Sequence, residues 1–267
     1  MVKHTKPRSP RARSQPAARA VKLLAVPGLP EIHKGDDLAL KIMQAARRGR
    51  IRWKDGDVVV IAQKIVSKAE GRVVALENVR PSAKAGALAI RLKNDPRLIE
   101  VVLRESRRIV RPGPRILIVE THHGFVCANA GVDLSNVPGD NCATLLPLRP
   151  DLSARRIAMG LRKHSGKQMS VIISDTFGRP WRLGLTNVAI GAWGVPVLRD
   201  LRGQRDRIGK RLRATILAVA DELAAASGLL MEKAGGVPVV VIRGYRYRQV
   251  QEPASKIIRP AREDLFR

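Results

Sequence analysis

Three short runs carry no polar or charged residue: Val58–Ala62, 171–173 and 237–242. Bounded by turn residues, they are too short for helices and read as buried strands. Helical spacing fills the intervals. Leu38, Ile42 and Ala45 repeat after Gly35-Asp36-Asp37, which reads as a helix start with acids in its first turn. Residues 82–93 and 96–106 read as helices. Another helix, capped by Asp151 or Ser153, runs to about His164 and ends at Gly166. The longest helix candidate covers 211–230. Strands are expected at 115–120 and 125–130, flanking the turn Thr121-His122-His123-Gly124. Residues 21–26 alternate weakly, and 186–192 and 195–199 are ambiguous. Strands and helices alternate without the strict period of a doubly wound sheet, so the class is α/β in the mixed, α+β sense.

The run 171–173 leads straight into Ser174-Asp175-Thr176-Phe177-Gly178-Arg179-Pro180-Trp181-Arg182. The strand is expected to end across Ser174-Asp175-Thr176, with Gly178 and Pro180 breaking the structure beyond. Asp175 and Thr176 at a strand end are hard oxygen ligands of the kind Mg²⁺ or Mn²⁺ takes. Arg179 and Arg182 suit phosphate or carboxylate. The plainer reading is an Asp-Thr turn followed by solvated arginines. Asp133 is a second carboxylate after an apolar strand and a glycine, and Asn136 follows three residues on. Asp133 and Asp175 could converge on one cation while Thr176 serves another; as plain structure, Asp133 is a cap and Asn136 a turn residue. Lys64 and Lys68, four apart after Val58–Ala62, would share a helical face and hold phosphate oxygens, or belong to an ordinary basic surface.

The net charge of +27 favours polyanionic partners: nucleotides, nucleic acid or phosphorylated metabolites. Seven basic residues precede the first acid, Glu31, and Pro7, Pro10 and Pro16 interrupt the same stretch. Residues 1–20 therefore read as a disordered basic arm, 21–250 as the folded domain and 251–267 as a C-terminal tail. Two cysteines, Cys127 and Cys142, make no disulfide framework and fit a reducing cytoplasm. No run reaches the ~18 apolar residues of a membrane helix, and no apolar segment follows the basic start as in a secretory signal. Walker A, dinucleotide-binding, Cys-x-x-Cys, His-Glu-x-x-His and nucleophile-elbow patterns are all missing. His122 and His123 could bind a metal, but adjacent histidines in a turn are more often solvated. A nucleic-acid-binding protein competes as a reading, although aromatics for base stacking are only 3%. A different metal-dependent phosphotransferase or hydrolase using the same aspartates is a third.

Several ordered blocks sharpen this picture. They are Gly28-Leu29-Pro30-Glu31-Ile32, Gly35-Asp36-Asp37-Leu38, Gln63-Lys64-Ile65-Val66-Ser67-Lys68-Ala69-Glu70-Gly71-Arg72, Ala130-Gly131-Val132-Asp133-Leu134-Ser135-Asn136-Val137, the 174–182 run and 237–244. From about residue 22 to 245 the chain resembles the coenzyme F-420:L-glutamate ligase family. The resemblance implies a GTP-dependent ligase, working as a homodimer, that joins L-glutamate to a carboxylate of a deazaflavin coenzyme precursor through an acyl phosphate. It further implies nucleotide contacts from Leu29, Pro30, Glu31, Ile32, Gln63, Lys68 and Asn136. Asp133 and Asp175 would ligate one divalent cation, Mg²⁺ or Mn²⁺, and Thr176 a second, with K⁺ as a further ion. Nucleic acid would bind only non-specifically, through the arm. This chain departs from many members at Gln63, where they carry a small hydroxyl residue, and at Leu185 and Asn187. It departs again at Met231-Glu232-Lys233-Ala234, where Glu232 is the acid that could substitute as a ligand.

Overall fold

The computed structural model describes residues 19–135, 141–232 and 235–265. In chain order these form β1 (Lys22–Ala25), α1 (Leu38–Arg48), β2 (Val58–Ala62), α2 (Gln63–Ala69), β3 (Val73–Ala75), α3 (Ala83–Leu92), α4 (Pro96–Arg104), β4 (Ser106–Gly113), β5 (Ile116–Thr121), β6 (Val126–Ala128), β7 (Cys142–Thr144), α5 (Pro150–Ser165), β8 (Ser170–Arg179), β9 (Arg182–Trp193), β10 (Arg199–Asp200), β11 (Ile216–Leu217), α6 (Val219–Met231) and β12 (Val239–Arg243). The class is mixed α+β.

The three apolar runs supply the three inner strands of a five-stranded sheet ordered β1-β12-β2-β8-β9. β2 and β8 are parallel, and the other neighbours antiparallel. Side chains alternate across a strand, so both faces must be covered for every residue to be apolar. Val59, Ile61, Val171, Ile173, Val239 and Val241 pack on one face with Ile42 of α1 and Leu161 of α5. Val58, Val60, Ile172, Val240 and Ile242 pack on the other with Leu223 and Ala224 of α6. Each such buried side chain contributes about 1.5–3 kcal/mol of transfer free energy. α5 lies so close to β9 that a Cβ on Gly191 would fall 2.6 Å from the Pro150 backbone. A smaller layer packs α3 and α4 on the antiparallel sheet β4-β5-β6 through Ala85, Leu92, Ile99, Val102, Leu117 and Val119.

Several local expectations need correction. Asp37 caps α1 by accepting from the Leu40 amide at 3.0 Å, and Asp36 accepts from the His33 amide, so the acids precede the first turn. α5 starts with Pro150 at its first position and Arg149 as cap, a place suited to proline because its N–H has no helical partner. The expected caps are spent elsewhere: Asp151 accepts from the amides of Ala192 and Ala254, and Ser153 donates to Glu70. Gly166 ends α5 in the left-handed region, as expected. The helix expected over 211–230 begins at Val219. Ahead of it Asp206 takes the amides of Ile208 and Lys210 at 3.0 and 2.8 Å, and β11 pairs with β10. Pairing with β10 claims Ile216 and Leu217 as strand, so the helix starts only after them. The strand expected over 125–130 stops at Ala128, because Asn129 and Ala130 turn with φ of 50° and 56°.

β8 does not end at Ser174-Asp175-Thr176. It continues to Arg179, turns through Pro180-Trp181 and returns as β9, pairing Asp175 with Val188 and Thr176 with Asn187. Residues 1–18 of the expected arm lie outside the described residues; Arg19 and Ala20 are exposed. Among the described residues no helix is long and apolar enough to cross a membrane.

Candidate active-site cleft

The parallel neighbours β2 and β8 point the same way, and Ala62 pairs with Ser174. From that level the chain enters α2 on one side and continues along β8 on the other. Ligands commonly bind beyond the carboxyl ends of parallel strands. Here those ends open on a cleft of about 1140 Å³. Leu29, Pro30, Glu31, Ile32, Gln63, Lys68, Asp133, Asp175 and Thr176 all line it. Asn136 lies outside the described residues.

Each acid on the α2 side of the cleft meets a lysine of that helix. Lys64 Nζ lies 2.8 Å from Asp133 Oδ2. It donates to Ser135 Oγ at 2.5 Å and to the Ser135 carbonyl at 3.0 Å. The Ser135 amide donates to Asp133 Oδ1 at 2.8 Å. Burial would raise the Asp133 carboxyl, but the Lys64 ammonium and the Ser135 amide outweigh it and hold the group below the usual carboxylate range. One turn on, Lys68 Nζ lies 2.5 Å from Glu31 Oε1. The two lysines share a face, as their spacing implies. Across the cleft Thr176 Oγ1 and Asn187 Oδ1 are 3.1 Å apart, and Asn187 Nδ2 reaches Met231 Sδ at 3.4 Å.

Gln63 is 2% exposed. Its Oε1 accepts from Ser67 Oγ at 2.7 Å, while its Nε2 is buried with no partner among the described residues. A buried orphan donor is costly, so an acceptor from a bound ligand would repair it. Burial, with the charge of Asp175 adding to it, pushes the Cys127 thiol up to about 12. Cys127 is therefore a protonated thiol, without the thiolate that makes cysteine a nucleophile.

The donor set suits a hard divalent cation. Among the described residues no three His, Cys, Asp or Glu side chains converge to cage an ion unaided. Two carboxylates and a hydroxyl lining one cleft still fit Mg²⁺ or Mn²⁺, which keeps waters and takes phosphate oxygens from a bound nucleotide. Glu232 also lines the cleft, with φ of 31°, while Lys233 lies outside the described residues. His123 is half-buried: its Nε2 faces the Pro147 and Leu148 carbonyls and its ring stacks on Phe125, whereas His122 is exposed.

Sequence reasoning did not identify the Lys64–Asp133–Ser135 cluster or the pairing of Thr176 with Asn187. The departure at Asn187 was the one signal for the second; nothing local signalled the first.

Known proteins point the same way. A sequence model described as F420-0:Gamma-glutamyl ligase matches residues 28–244. The coenzyme F420:L-glutamate ligase of Methanothermobacter thermautotrophicus is 46% identical over 250 residues, 92% of this chain and 99% of the relative. The enzyme of the same name from Methanopyrus kandleri is 46% identical over 89% of this chain and 94% of its own length. That from Halorubrum lacusprofundi is 44% identical over 85% and 88%. The match spans the strands, helix α2 and the cleft together, and the chain belongs to the F420-0:gamma-glutamyl ligase family of amide-forming ligases.

Proposed function

We propose that this chain uses GTP to join L-glutamate, through its amine, to a carboxylate of the coenzyme F420 precursor. The observation that carries this reading is the convergence of Asp133, Asp175 and Thr176 with Lys64 and Lys68 on one cleft. Amide formation from a carboxylate needs an activated acyl group. In the proposed first step a precursor carboxylate oxygen attacks the γ-phosphorus of GTP, the bond to the bridging oxygen breaks, and GDP leaves. The glutamate amine then attacks the acyl carbon, phosphate leaves with the carbon–oxygen electron pair, and the amine proton passes to solvent. Phosphoryl transfer is catalysed chiefly by positioning and charge neutralisation.

Divalent cations held by Asp133 and Asp175, and by Thr176, would neutralise phosphate charge, with K⁺ as a further ion. Lys68 would hold phosphate oxygens, exchanging its pairing with Glu31 for them, and Gln63 Nε2 would donate to an acceptor on the nucleotide. Leu29–Ile32 and Asn136 would complete the nucleotide contacts, and the working unit would be a homodimer. The direct test is incubation with GTP, Mn²⁺, L-glutamate and the deazaflavin precursor. Mass spectrometry should find a glutamylated product and an equal amount of GDP. GDP-free reactions with no glutamylated product would overturn the proposal.

Lys68→Ala should raise the nucleotide Kd by about tenfold or more, since one partly buried charge-assisted contact is worth on the order of 1.5–3 kcal/mol. Titration calorimetry with GDP and Mn²⁺ reads the change, and circular dichroism checks the fold. Unchanged binding would return Lys68 to a structural pair with Glu31.

A chain beginning near Lys22 should ligate at the full-length rate and lose salt-sensitive retention on heparin. A segment this basic attracts polyanions by charge, and it precedes the first residues that match the family. Loss of turnover in a folded truncation would show that the arm completes the site.

A further inference from the structure

The ammonium of Lys64 lies where a cation ligated by Asp133 would compete for the same oxygen. It is 2.8 Å from Asp133 Oδ2, and Ser135 holds both partners, taking the ammonium on its hydroxyl and carbonyl while its amide binds the other carboxylate oxygen. The pair is largely shielded, with side chains 20% and 32% exposed. Without Lys64, Asp133 would be a part-buried carboxylate that has lost its cation. Lys64 sits on a stiff seven-residue helix one turn before Lys68, which is paired with Glu31 in the same manner. Thus one helix face supplies a positive charge to each cleft acid it meets.

We propose that Lys64 is a placeholder cation: it occupies the Asp133 carboxylate and holds it at the cleft, and the divalent ion must displace it to bind. Displacement frees the ammonium while its helix stays fixed beside the cleft, so arrival of the metal delivers a positive charge for phosphate. Lys64 is on this account a positioning residue that acts through Asp133. The inference rests on the reading of Asp133 as a cation ligand.

The two ideas separate in one set of measurements on the full chain without nucleotide. Mn²⁺ affinity is read by electron paramagnetic resonance, and thermal stability is read in EDTA. Lys64→Met should tighten Mn²⁺ binding by about fivefold, the upper end for one partly exposed ion pair, because the competitor is gone. The same variant should melt earlier than wild type in EDTA and regain the difference when Mn²⁺ is added. Lys64→Gln, which keeps a hydrogen bond to Ser135 without the charge, should tighten Mn²⁺ as well and covers the case of a poorly folded Met variant. Asp133→Asn should weaken Mn²⁺ binding. A purely structural lysine would lower stability on removal and leave Mn²⁺ affinity unchanged or weaker, and that result overturns the proposal. If Asp133→Asn weakens Mn²⁺ but neither Lys64 variant tightens it, the placeholder role alone fails. If Asp133→Asn leaves Mn²⁺ affinity at the wild-type value, the ligand reading fails and the placeholder role falls with it.

Discussion

Asp175→Asn should abolish glutamate ligation, lowering turnover by about 10²–10³-fold or more, while leaving the fold intact. The side chain changes by one oxygen for one nitrogen, and its backbone is held in the ladder opposite Val188. What changes is charge. In the proposed site Asp133 and Asp175 are the two anionic ligands, with neutral Thr176 next to Asp175 on β8. Losing one of two anionic ligands weakens the cation and its neutralisation of the transferred phosphoryl group, and effects of this class in water-poor sites cost 10²–10³-fold. GDP release and product mass should fall together, because both report the same first step. A thermal melt near wild type confirms that the loss is chemical. Wild-type turnover from a folded Asp175→Asn chain would remove Asp175 from the metal site and leave Asp133 to be explained as the partner of Lys64.

The two halves of the cleft were not equally legible in the sequence. The inner strands could be read because burial on both faces excludes polar residues from Val58–Ala62 and its neighbours, a purely local signal. β4 could not: it is an edge strand containing Arg107, Arg108, Arg111 and Pro112, and Arg108 is satisfied by Glu120 on the next strand. Edge strands tolerate charge and proline, which hides them. The Asp-Thr pair was found by residue type, yet its setting was misread. Only pairing with β9 carries β8 past Thr176, and Gly178 then fits within the ladder opposite Leu185. The Lys64–Ser135 contact joins residues 71 apart in sequence. Its existence depends on where helix α2 meets the loop that carries Ser135, which no spacing rule encodes.

Asp57→Ala should cost about 3 kcal/mol and lower Tm by roughly 6–12 °C for a domain of this size. Asp57 is 1% exposed and accepts from Arg243 Nε and Nη2 at 2.8 and 2.7 Å and from the Lys54 amide at 2.9 Å. Hydrogen bonding to Asp57, against a smaller opposing effect of burial, raises the already high pKa of Arg243, so that cation stays charged at any accessible pH. Removing the carboxylate strands the guanidinium, whose remaining bond among those described is to the Arg52 carbonyl at 2.6 Å. Breaking a buried pair costs about 3–5 kcal/mol because the survivor is left uncompensated. The side chain of Arg243 keeps 21% exposure, which puts the cost at the lower end. The pair clamps the start of β2 to the end of β12, whereas the cleft opens beyond the other end of β2. The five residues of β2 put roughly 16 Å between them. The variant should therefore melt early yet turn over at the wild-type rate well below its Tm. Asp57→Ala combined with Arg243→Met should recover part of the loss, since the stranded charge is gone. A single variant melting within about 2 °C of wild type would mean that water solvates Arg243 there, and that the clamp between β2 and β12 is made by their ladder alone.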